Sequence, residues 1–332
     1  MPLEIGAGPP IQLQRFVLFH IDGLSPVSAE EVLDSGARRP DGKARHREYR
    51  ECLREEQRSQ PGCPARKSAL IQRRPATSIR CALVPPVSAT IITKNEADTI
   101  ADALTSLSWA DEIVVVDAES TDDTVAIARR FTDRVYVRAW NGYVDQKNHA
   151  ATLATHDWIF SLDADERVPD DLRSEIRALL QSEPGVHGYR MPRVSFYLGR
   201  WMRTTDMYPD YQLRLYDRRH ARWDGRHVHE SVKVDTGLVG YLESELQHYP
   251  YKDLSEHLIR MDRYTTLAAR QMFETGKRAT RLELLFHPPI AFARNYILKG
   301  GFRDGKPGLI ISLVNSYYVM LKFAKLWELQ RD

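Results

Sequence analysis

The sequence is poor in cysteine, carries little net charge and has no long apolar run. Its three cysteines, Cys52, Cys63 and Cys81, lie near the N-terminus and are too few for a disulfide framework, which fits a reducing, cytoplasmic location. Its 47 basic and 45 acidic side chains leave a formal net charge of +2, so no overall field favours nucleic acid as a partner. No uninterrupted apolar run is long enough to span a membrane, and the apolar stretch at residues 16–19 is too brief for a signal peptide.

The first 86 residues differ in composition from the rest of the chain. They are rich in proline and arginine and show weak apolar periodicity. Such a segment buries too little apolar surface to offset the entropy lost on ordering. We therefore predict that residues 1–86 are disordered, or an extension read from a start codon assigned too far upstream; an accessory module is the alternative. A folded domain is expected at residues 87–250 and a helical region at residues 251–332.

From Val87 onward, short apolar segments alternate with segments of helical periodicity. This alternation predicts βαβ units, so we expect an α/β fold with a mostly parallel central sheet, followed by C-terminal helices. Ser120 and Asp123 have the spacing of a capping box and predict the start of a helix. The first four predicted strands are Val87–Thr93, Glu112–Asp117, Arg134–Arg138 and Trp158–Leu162. Later strands are predicted at residues 188–197, 211–216 and 231–234, and helices at 254–275 and 308–327.

Polar side chains follow the first two predicted strands. Ligands of open parallel sheets bind beyond the carboxyl ends of the strands. Thr93 and Glu96 follow the first strand and face this crevice, although Glu96 also suits the first turn of a helix. Asp117 ends the second strand and can accept hydrogen bonds from a nucleobase or ribose, or else forms a turn before Ser120. These residues are therefore predicted to bind a nucleotide.

An acidic pair, Asp163 and Asp165, follows the fourth predicted strand directly. Two carboxylates at this spacing on a turn can converge on Mn²⁺ or Mg²⁺, which prefer oxygen ligands and accept phosphates in the remaining positions. Such a cation would bridge a diphosphate and neutralise charge on the leaving group. Acidic pairs in loops are often solvated turns, but the position after a hydrophobic strand favours a divalent metal cofactor.

Three further polar residues are candidates for this site. Lys147 can contact the diphosphate as a flexible point charge, or can be a solvated lysine of a helix. Arg214 lies in a predicted strand and can face the acceptor or the diphosphate, or form a structural salt bridge. His248 can complete the coordination of the cation, or can be a structural histidine.

The segment His227-Val228-His229-Glu230 supplies a candidate general base. A general base takes the proton of a hydroxyl group as that hydroxyl attacks an electrophile. Glu230 suits this role if partial burial raises its pKa, and Asp224 is the rival. A zinc site at His227 and His229 is the weaker interpretation, because no cysteine and no second histidine pair lies nearby.

Three motifs together resemble the family 2 glycosyltransferases of the GT-A fold. They are Ile91–Glu96, Val115–Thr124 and Leu162–Glu166, and the resemblance covers residues 87–234. The segments at residues 299–308 and 323–328 resemble, more loosely, a bacterial subgroup that includes lipopolysaccharide core glycosyltransferases. Residues 87–250 are thus expected to form a GT-A glycosyltransferase domain.

The resemblance implies an inverting, single-displacement transfer from a nucleotide-sugar, often UDP-linked, to a glycan or glycolipid acceptor. It implies that Asp117 reads the nucleotide, that Asp165 binds the metal and that Glu230 is the base. Ala118 and Glu119 stand where many members have Asp-Gly, which removes a flexible glycine from the turn after Asp117.

Three alternative functions are weighed against this interpretation. A nucleotidyltransferase also joins a nucleotide site to a metal, but it usually holds a triphosphate in a glycine-rich loop, and residues 93–96 contain no glycine. A polyprenyl-phosphate sugar transferase of the integral type is disfavoured by the lack of a clear spanning segment. An inactive membrane scaffold is disfavoured by the retention of both acids, Asp163 and Asp165.

The C-terminal stretch at residues 308–327 is apolar and aromatic and is flanked by lysine and arginine side chains. Aromatic residues suit the headgroup boundary of a bilayer, and basic residues attract anionic lipids. We therefore predict peripheral contact with the inner face of the cytoplasmic membrane. The alternative is that this helix packs on the catalytic domain as part of the core.

Overall fold

The computed structural model describes residues 84–182, 184–225 and 230–331. The strands, in chain order, are β1 (Val87–Thr93), β2 (Glu112–Asp117), β3 (Val135–Val137), β4 (Trp158–Asp163), β5 (Glu166–Arg167), β6 (Gly188–Tyr197), β7 (Arg200–Met202), β8 (Asp210–Asp217), β9 (Ala221–Asp224), β10 (Ser231–Val234), β11 (Gly240–Tyr241) and β12 (Leu246–His248). The α-helices are α1 (Ile100–Ser106), α2 (Thr124–Ala128), α3 (Tyr143–Leu153), α4 (Asp170–Gln181), α5 (Leu254–Glu274), α6 (Arg281–Ala293) and α7 (Gly305–Glu328). A π-helical turn spans Arg294–Leu298, and 3₁₀ turns span Thr205–Met207 and Gly301–Asp304.

One large sheet organises the molecule. Its strand order is β3-β2-β1-β4-β8-β6-β12-β5, with β7 and β11 also paired to β6. The first four strands, β3, β2, β1 and β4, are mutually parallel, whereas β8 runs antiparallel to both β4 and β6. β9 and β10 form a separate antiparallel pair. The predicted α/β fold, with a mostly parallel sheet and C-terminal helices, is confirmed.

The core lies against the parallel strands. All seven residues of β1 are buried, as is expected of a central strand covered on both faces. Helix α4 packs against the sheet through Leu172, Ile176 and Leu180, whose spacing of four residues places them on one helical face. Burying each such side chain contributes about 1.5–3 kcal/mol.

The turn between β2 and α2 corrects one prediction from the sequence. Helix α2 begins at Thr124, and the side chain of its N-cap residue, Asp123, makes no capping hydrogen bond, so Ser120 and Asp123 do not form a capping box. The Thr124 backbone N–H donates to the Asp122 carboxylate at 3.0 Å. The Ser120 backbone N–H and hydroxyl instead donate to the carboxylate of Asp117, at 2.8 and 2.5 Å. The hydroxyl is therefore used to orient the acid at the end of β2.

Helices α5 and α6 pack on α7, and Ile311 of α7 shares a buried cluster with Tyr197 of β6 and Met202 of β7. Helix α7 is the one helix of the described ranges that is long and apolar enough, together with the preceding 3₁₀ turn, to cross a membrane by length and composition. Lys322 and Lys325 interrupt this stretch, so it remains consistent with the expectation that no uninterrupted apolar run reaches that length. A buried core helix passes the same test, and α7 buries one face, including Ile311 and Val319.

A buried histidine at the start of α5 predicts a pH-dependent stability. His257 stacks on Tyr251 with ring centroids 4.0 Å apart, and its Nδ1 lies 2.9 Å from the Tyr197 hydroxyl. Burial, aided by the nearby Arg260 cation, lowers the pKa of His257 to about 4. Because the unfolded chain binds this proton near pH 6.5 and the folded chain does not, stability is fully present above about pH 6.5 and falls by about 1.4 kcal/mol per pH unit toward pH 4.

We expect His257→Gln to remove this loss. Urea unfolding at pH 7.5 and 5.5 should show a larger decrease in the free energy of unfolding for the wild type than for the variant. Carboxylates with lowered pKa, such as Asp210, titrate below this window and do not obscure the comparison. Equal decreases for the two proteins would show that His257 is protonated in the folded state.

Candidate active site

The predicted nucleotide residues lie side by side at the carboxyl edge of the parallel strands. In the strand registers, Thr93 of β1 pairs with Asp117 of β2, and Ile92 pairs with Asp163 of β4. Thr93, Asp117 and Asp163 are all buried. Parallel strands end at the same edge of a sheet, so three segments far apart in sequence bring their polar side chains together there.

The loops after β1 and β2 are tied to each other by hydrogen bonds. The Asn95 amide oxygen accepts from the Thr121 backbone N–H at 2.8 Å, and the Asn95 backbone N–H donates to the Ser120 hydroxyl at 2.8 Å. The Glu96 backbone N–H donates to the Thr124 hydroxyl, also at 2.8 Å. These bonds fix the crevice wall that Asp117 and Glu96 share.

The turn after Asp117 holds a residue in an unusual backbone conformation. Glu119 has φ = 56°, in the left-handed region that favours glycine. This is the position at which the family resemblance leads one to expect glycine. The fold therefore keeps the glycine-type turn and places a glutamate in it, which costs of order 1 kcal/mol and is typical of functional sites.

A chain of buried ion pairs connects β4 to β8 and β6. Asp163 accepts from Lys147 Nζ at 2.6 Å and from Arg214 at 2.5 Å. Arg214 also contacts Glu166 at 2.5 Å, and Glu166 in turn contacts Arg193 at 2.9 Å. Burial alone would lower the pKa of Arg214, but the Asp163 and Glu166 carboxylates raise it above its ordinary value. The structure thus brings Lys147, Arg214 and Asp163 together, as mutual partners.

The second acid of the pair, Asp165, has a different environment. It is fully buried, and within the described ranges neither carboxylate oxygen has a hydrogen-bond partner. One oxygen lies 3.3 Å from Nε2 of His248, which is equally without a hydrogen bond. The other ring nitrogen of His248, Nδ1, is 3.0 Å from the Ser195 hydroxyl. Leaving such groups unsatisfied costs several kcal/mol, which makes Asp165 and His248 candidate ligands for a cation.

Strand β12 accounts for the position of His248. It pairs His248 with Ser195 of β6 on one side and with Glu166 of β5 on the other. The backbone N–H of Tyr249 donates to the Asp165 carbonyl at 2.9 Å. A residue 83 positions further along the chain than Asp165 is thereby held against its carboxylate.

The two candidate bases differ in burial. Glu230 is buried, and it interacts electrostatically with Tyr264 of α5, whose pKa is raised to about 12 by burial and by the Glu230 and Asp165 carboxylates. Asp224 ends β9 with 54% of its side chain exposed and lies 3.8 Å from Lys233. The first is therefore placed near the site and the second toward solvent. His227 and His229 lie outside the described residues.

Several polar residues of the site were not assigned a role from the sequence. Glu166 and Arg193 link the ion pairs, Ser195 orients His248, and Tyr264 brings α5 to the site. Glu166 follows the acidic pair directly, which is a usable signal. The alternation of Arg193 and Ser195 in β6 is not a signal of a site by itself, because side chains point to alternate faces in every strand.

Comparison with known proteins identifies the family of this chain. The sequence profile of the family described as Glycosyl transferase family 2 matches residues 88–238. The lipopolysaccharide core biosynthesis glycosyltransferase LpsC of Rhizobium meliloti (strain 1021) is 34% identical over 250 residues, which cover 73% of this chain and 92% of that protein. The chain belongs to glycosyltransferase family 2 and is a glycosyltransferase. The predicted resemblance to that family is confirmed, and the main functional interpretation is favoured over the alternatives.

Other proteins show the same relationship. An uncharacterized glycosyltransferase of Rickettsia felis is 31% identical over 253 residues, covering 73% of this chain and 89% of that protein. Among solved structures, the mannosyltransferase PcManGT from Pyrobaculum calidifontis, in complex with GDP-Man and Mn²⁺, has a TM-score of 0.44 at 15% identity and covers 75% of this chain and 89% of its own. The family assignment depends on the sequence relatives and the profile.

Proposed function

We propose that this glycosyltransferase moves a sugar, with inversion, from a UDP-linked donor to a glycan or glycolipid acceptor of the lipopolysaccharide core type. The observation that carries the proposal is the buried pair Asp165 and His248, both unsatisfied, beside the strand ends that hold Thr93, Asp117 and Asp163. The similarity to LpsC supports the acceptor class.

A divalent cation fits Asp165 and His248. Adjacent ligands of an octahedral ion with bonds of about 2.1 Å lie about 3.0 Å apart, close to the 3.3 Å between the Asp165 oxygen and Nε2. With Nδ1–H donating to Ser195, Nε2 presents a lone pair toward the carboxylate, and a cation removes the resulting repulsion. An imidazole ligand favours Mn²⁺ over the harder Mg²⁺. When bound, such an ion neutralises charge on the diphosphate leaving group.

The strand ends are proposed to bind the nucleotide. The Asp117 carboxylate, held by Ser120, accepts hydrogen bonds from the nucleobase or ribose. Thr93 and Glu96 line the same crevice; the Thr93 hydroxyl is buried and has no hydrogen bond to any residue of the described ranges, so it is positioned for a ligand. Lys147 and Arg214 balance the charge of Asp163 and keep that carboxylate in place beside the diphosphate.

Glu230 is proposed as the general base. Its carboxylate takes the proton of the acceptor hydroxyl while the hydroxyl oxygen attacks the anomeric carbon and the nucleoside diphosphate leaves. Its burial and its position near Tyr264 and the metal side of the site support this role over Asp224, which is exposed. A single displacement by one base inverts the anomeric configuration.

The acceptor is proposed to reside in the membrane, with the enzyme peripheral on the cytoplasmic face. Confinement of enzyme and acceptor to one plane raises their effective concentration. The apolar C-terminal helices support this location.

A donor panel tests the proposal. The full chain with Mn²⁺ is incubated with UDP-sugars, GDP-sugars and nucleoside triphosphates, and released nucleotide is measured. We expect slow release of UDP from one UDP-sugar, abolished by EDTA and accelerated by lipopolysaccharide core acceptor. Cleavage of a triphosphate instead would favour a nucleotidyltransferase, and release from no donor would favour a scaffold.

A further inference from the structure

One face of helix α6 points apolar side chains into solvent. Leu282, Leu285, Phe286 and Ile290 are all exposed, and their spacing of three and four residues places them on a single stripe. Leu285 is 65% exposed and Ile290 is 61% exposed. A continuous apolar stripe of this kind on the surface marks a site of interaction.

The stripe continues into the turns that follow α6. Ile297 and Leu298 are exposed at the end of the π-helical turn, with Leu298 81% exposed, and Phe302 is exposed in the next 3₁₀ turn. An aliphatic side chain at such a tip makes almost no contact with its own protein, so its identity is not explained by folding.

The charged residues around this stripe are mostly basic. Between residues 277 and 306 the chain has seven lysine and arginine residues and two acids. Of the two acids, Glu283 closes the capping box of α6 with Thr280, and Asp304 is buried. The exposed basic residues are Lys277, Arg278, Arg281, Arg303 and Lys306, together with Lys299, whose ammonium group is paired with Asp206.

The opposite side of this segment is fastened to the catalytic part. Arg294 contacts Asp206 at 2.5 Å, and the Asn295 amide oxygen accepts from the Asp206 backbone N–H at 2.9 Å. Asp304 accepts from the Thr204 hydroxyl at 2.6 Å. On α7, the Ser316 hydroxyl donates to the Pro288 carbonyl at 2.7 Å. The apolar stripe is therefore held in a fixed orientation relative to the loop that follows β7.

We propose that the α6 stripe and the tip at Leu298 form an in-plane membrane-docking surface, which lies at the boundary between headgroups and acyl chains of an anionic bilayer. The inference deepens the proposed function and rests on it for the use of a membrane acceptor. An apolar stripe bordered by basic side chains matches both the acyl chains and the anionic headgroups of such an interface. Docking thus involves α6 and the turns after it, whereas the sequence pattern predicted membrane contact at residues 308–327.

Charge distinguishes a bilayer from a second copy of the chain. A two-fold dimer through this face would place the basic side chains of the two subunits against each other, because an isologous contact uses the same patch on both subunits. That arrangement is opposed by electrostatic repulsion, whereas anionic headgroups neutralise the basic side chains. The bilayer is therefore the occupant that the surface fits.

Vesicle flotation tests the surface with a matched pair of variants. The full chain is mixed with vesicles of phosphatidylethanolamine and phosphatidylglycerol, at low and high salt, and with vesicles of phosphatidylcholine alone. We expect the wild type to float with the anionic vesicles at low salt. The variant with Leu285→Ser and Ile290→Ser should partition at least about tenfold less. The control with Leu238→Ser and Tyr241→Ser removes equally exposed apolar side chains, 65% and 62%, and should float like the wild type.

Each other outcome overturns the inference. Equal flotation of both double variants, or no flotation of a folded wild type, would remove the surface as a lipid site. A dimer that the Leu285 and Ile290 substitutions convert to a monomer would make the stripe a subunit interface. Resistance to alkaline extraction would indicate a spanning helix. UDP release from the donor in solution is measured in parallel, so that failure of the glycosyltransferase chemistry is distinguished from failure of docking.

Discussion

Asp165→Asn is expected to lower kcat/KM in Mn²⁺ by about 1,000-fold, which corresponds to about 4 kcal/mol of transition-state stabilisation. The amide keeps the shape of the side chain and removes the charge that a cation needs. Because the Asp165 carboxylate is buried without a hydrogen bond in the described part of the chain, the same substitution should not lower the melting temperature in EDTA. Loss of activity without loss of stability is the signature of a ligand site.

The control for this variant is Asp171→Asn. Asp171 lies in the first turn of α4 and is exposed, so its substitution should leave turnover unchanged. Activity of Asp165→Asn near the wild-type level in Mn²⁺ would show that the acid binds no metal. A large fall in its melting temperature in EDTA would show that the acid is structural.

Glu230→Gln is expected to lower kcat for transfer by about 100- to 10,000-fold, while the Kd for UDP stays within about twofold of the wild-type value. The amide keeps the shape but cannot take a proton from the acceptor hydroxyl. Acceptor transfer is measured at saturating donor, and UDP binding by calorimetry. Asp224→Asn is the matched comparison, because it makes the same chemical change on an exposed side chain and should retain activity.

The reverse pattern would reassign the base. If Asp224→Asn lost transfer and Glu230→Gln retained it, the exposed acid would have to move to the acceptor in the reacting complex. If Glu230→Gln weakened UDP binding as strongly as it lowered kcat, Glu230 would be a donor contact and not a base.

The parallel part of the fold was predictable from the sequence because its signals are local. Strands β1, β2 and β4 are apolar runs that end in polar residues, and in β2 and β4 that residue is an acid. The order of the chain and the parallel geometry then place Thr93, Asp117 and Asp163 at one edge. Local patterning thus predicted the strands and the meeting of these three polar side chains at one edge of the sheet.

The rest of the site depends on contacts that are distant in sequence. Strand β8 inserts antiparallel beside β4, which lets Arg214 reach Asp163 and Glu166; no periodicity in residues 210–217 indicates that neighbour. The partners of His248 come from β6 and β5 through the pairing of a three-residue strand. Such short strands carry too few residues to show a pattern.

Helix α6 was missed for a different reason. It contains Pro288 and Pro289, which normally end a helix, and it presents apolar residues to solvent where a helix of a globular protein presents polar ones. The capping box of Thr280 and Glu283 was the available signal for its start. The exposed apolar residues that obscured the helix in the sequence are the ones that form the proposed docking surface.

The central claim, that Asp165 and His248 hold a divalent cation that contacts the diphosphate, is tested most directly by calorimetric titration of UDP into the full chain with Mn²⁺ and with EDTA. We predict that the Kd is at least about tenfold lower with Mn²⁺, a difference of about 1.4 kcal/mol, and that Asp165→Asn abolishes this difference. Equal affinity in Mn²⁺ and in EDTA for the wild type, or a Mn²⁺ effect that survives in Asp165→Asn, would contradict the claim.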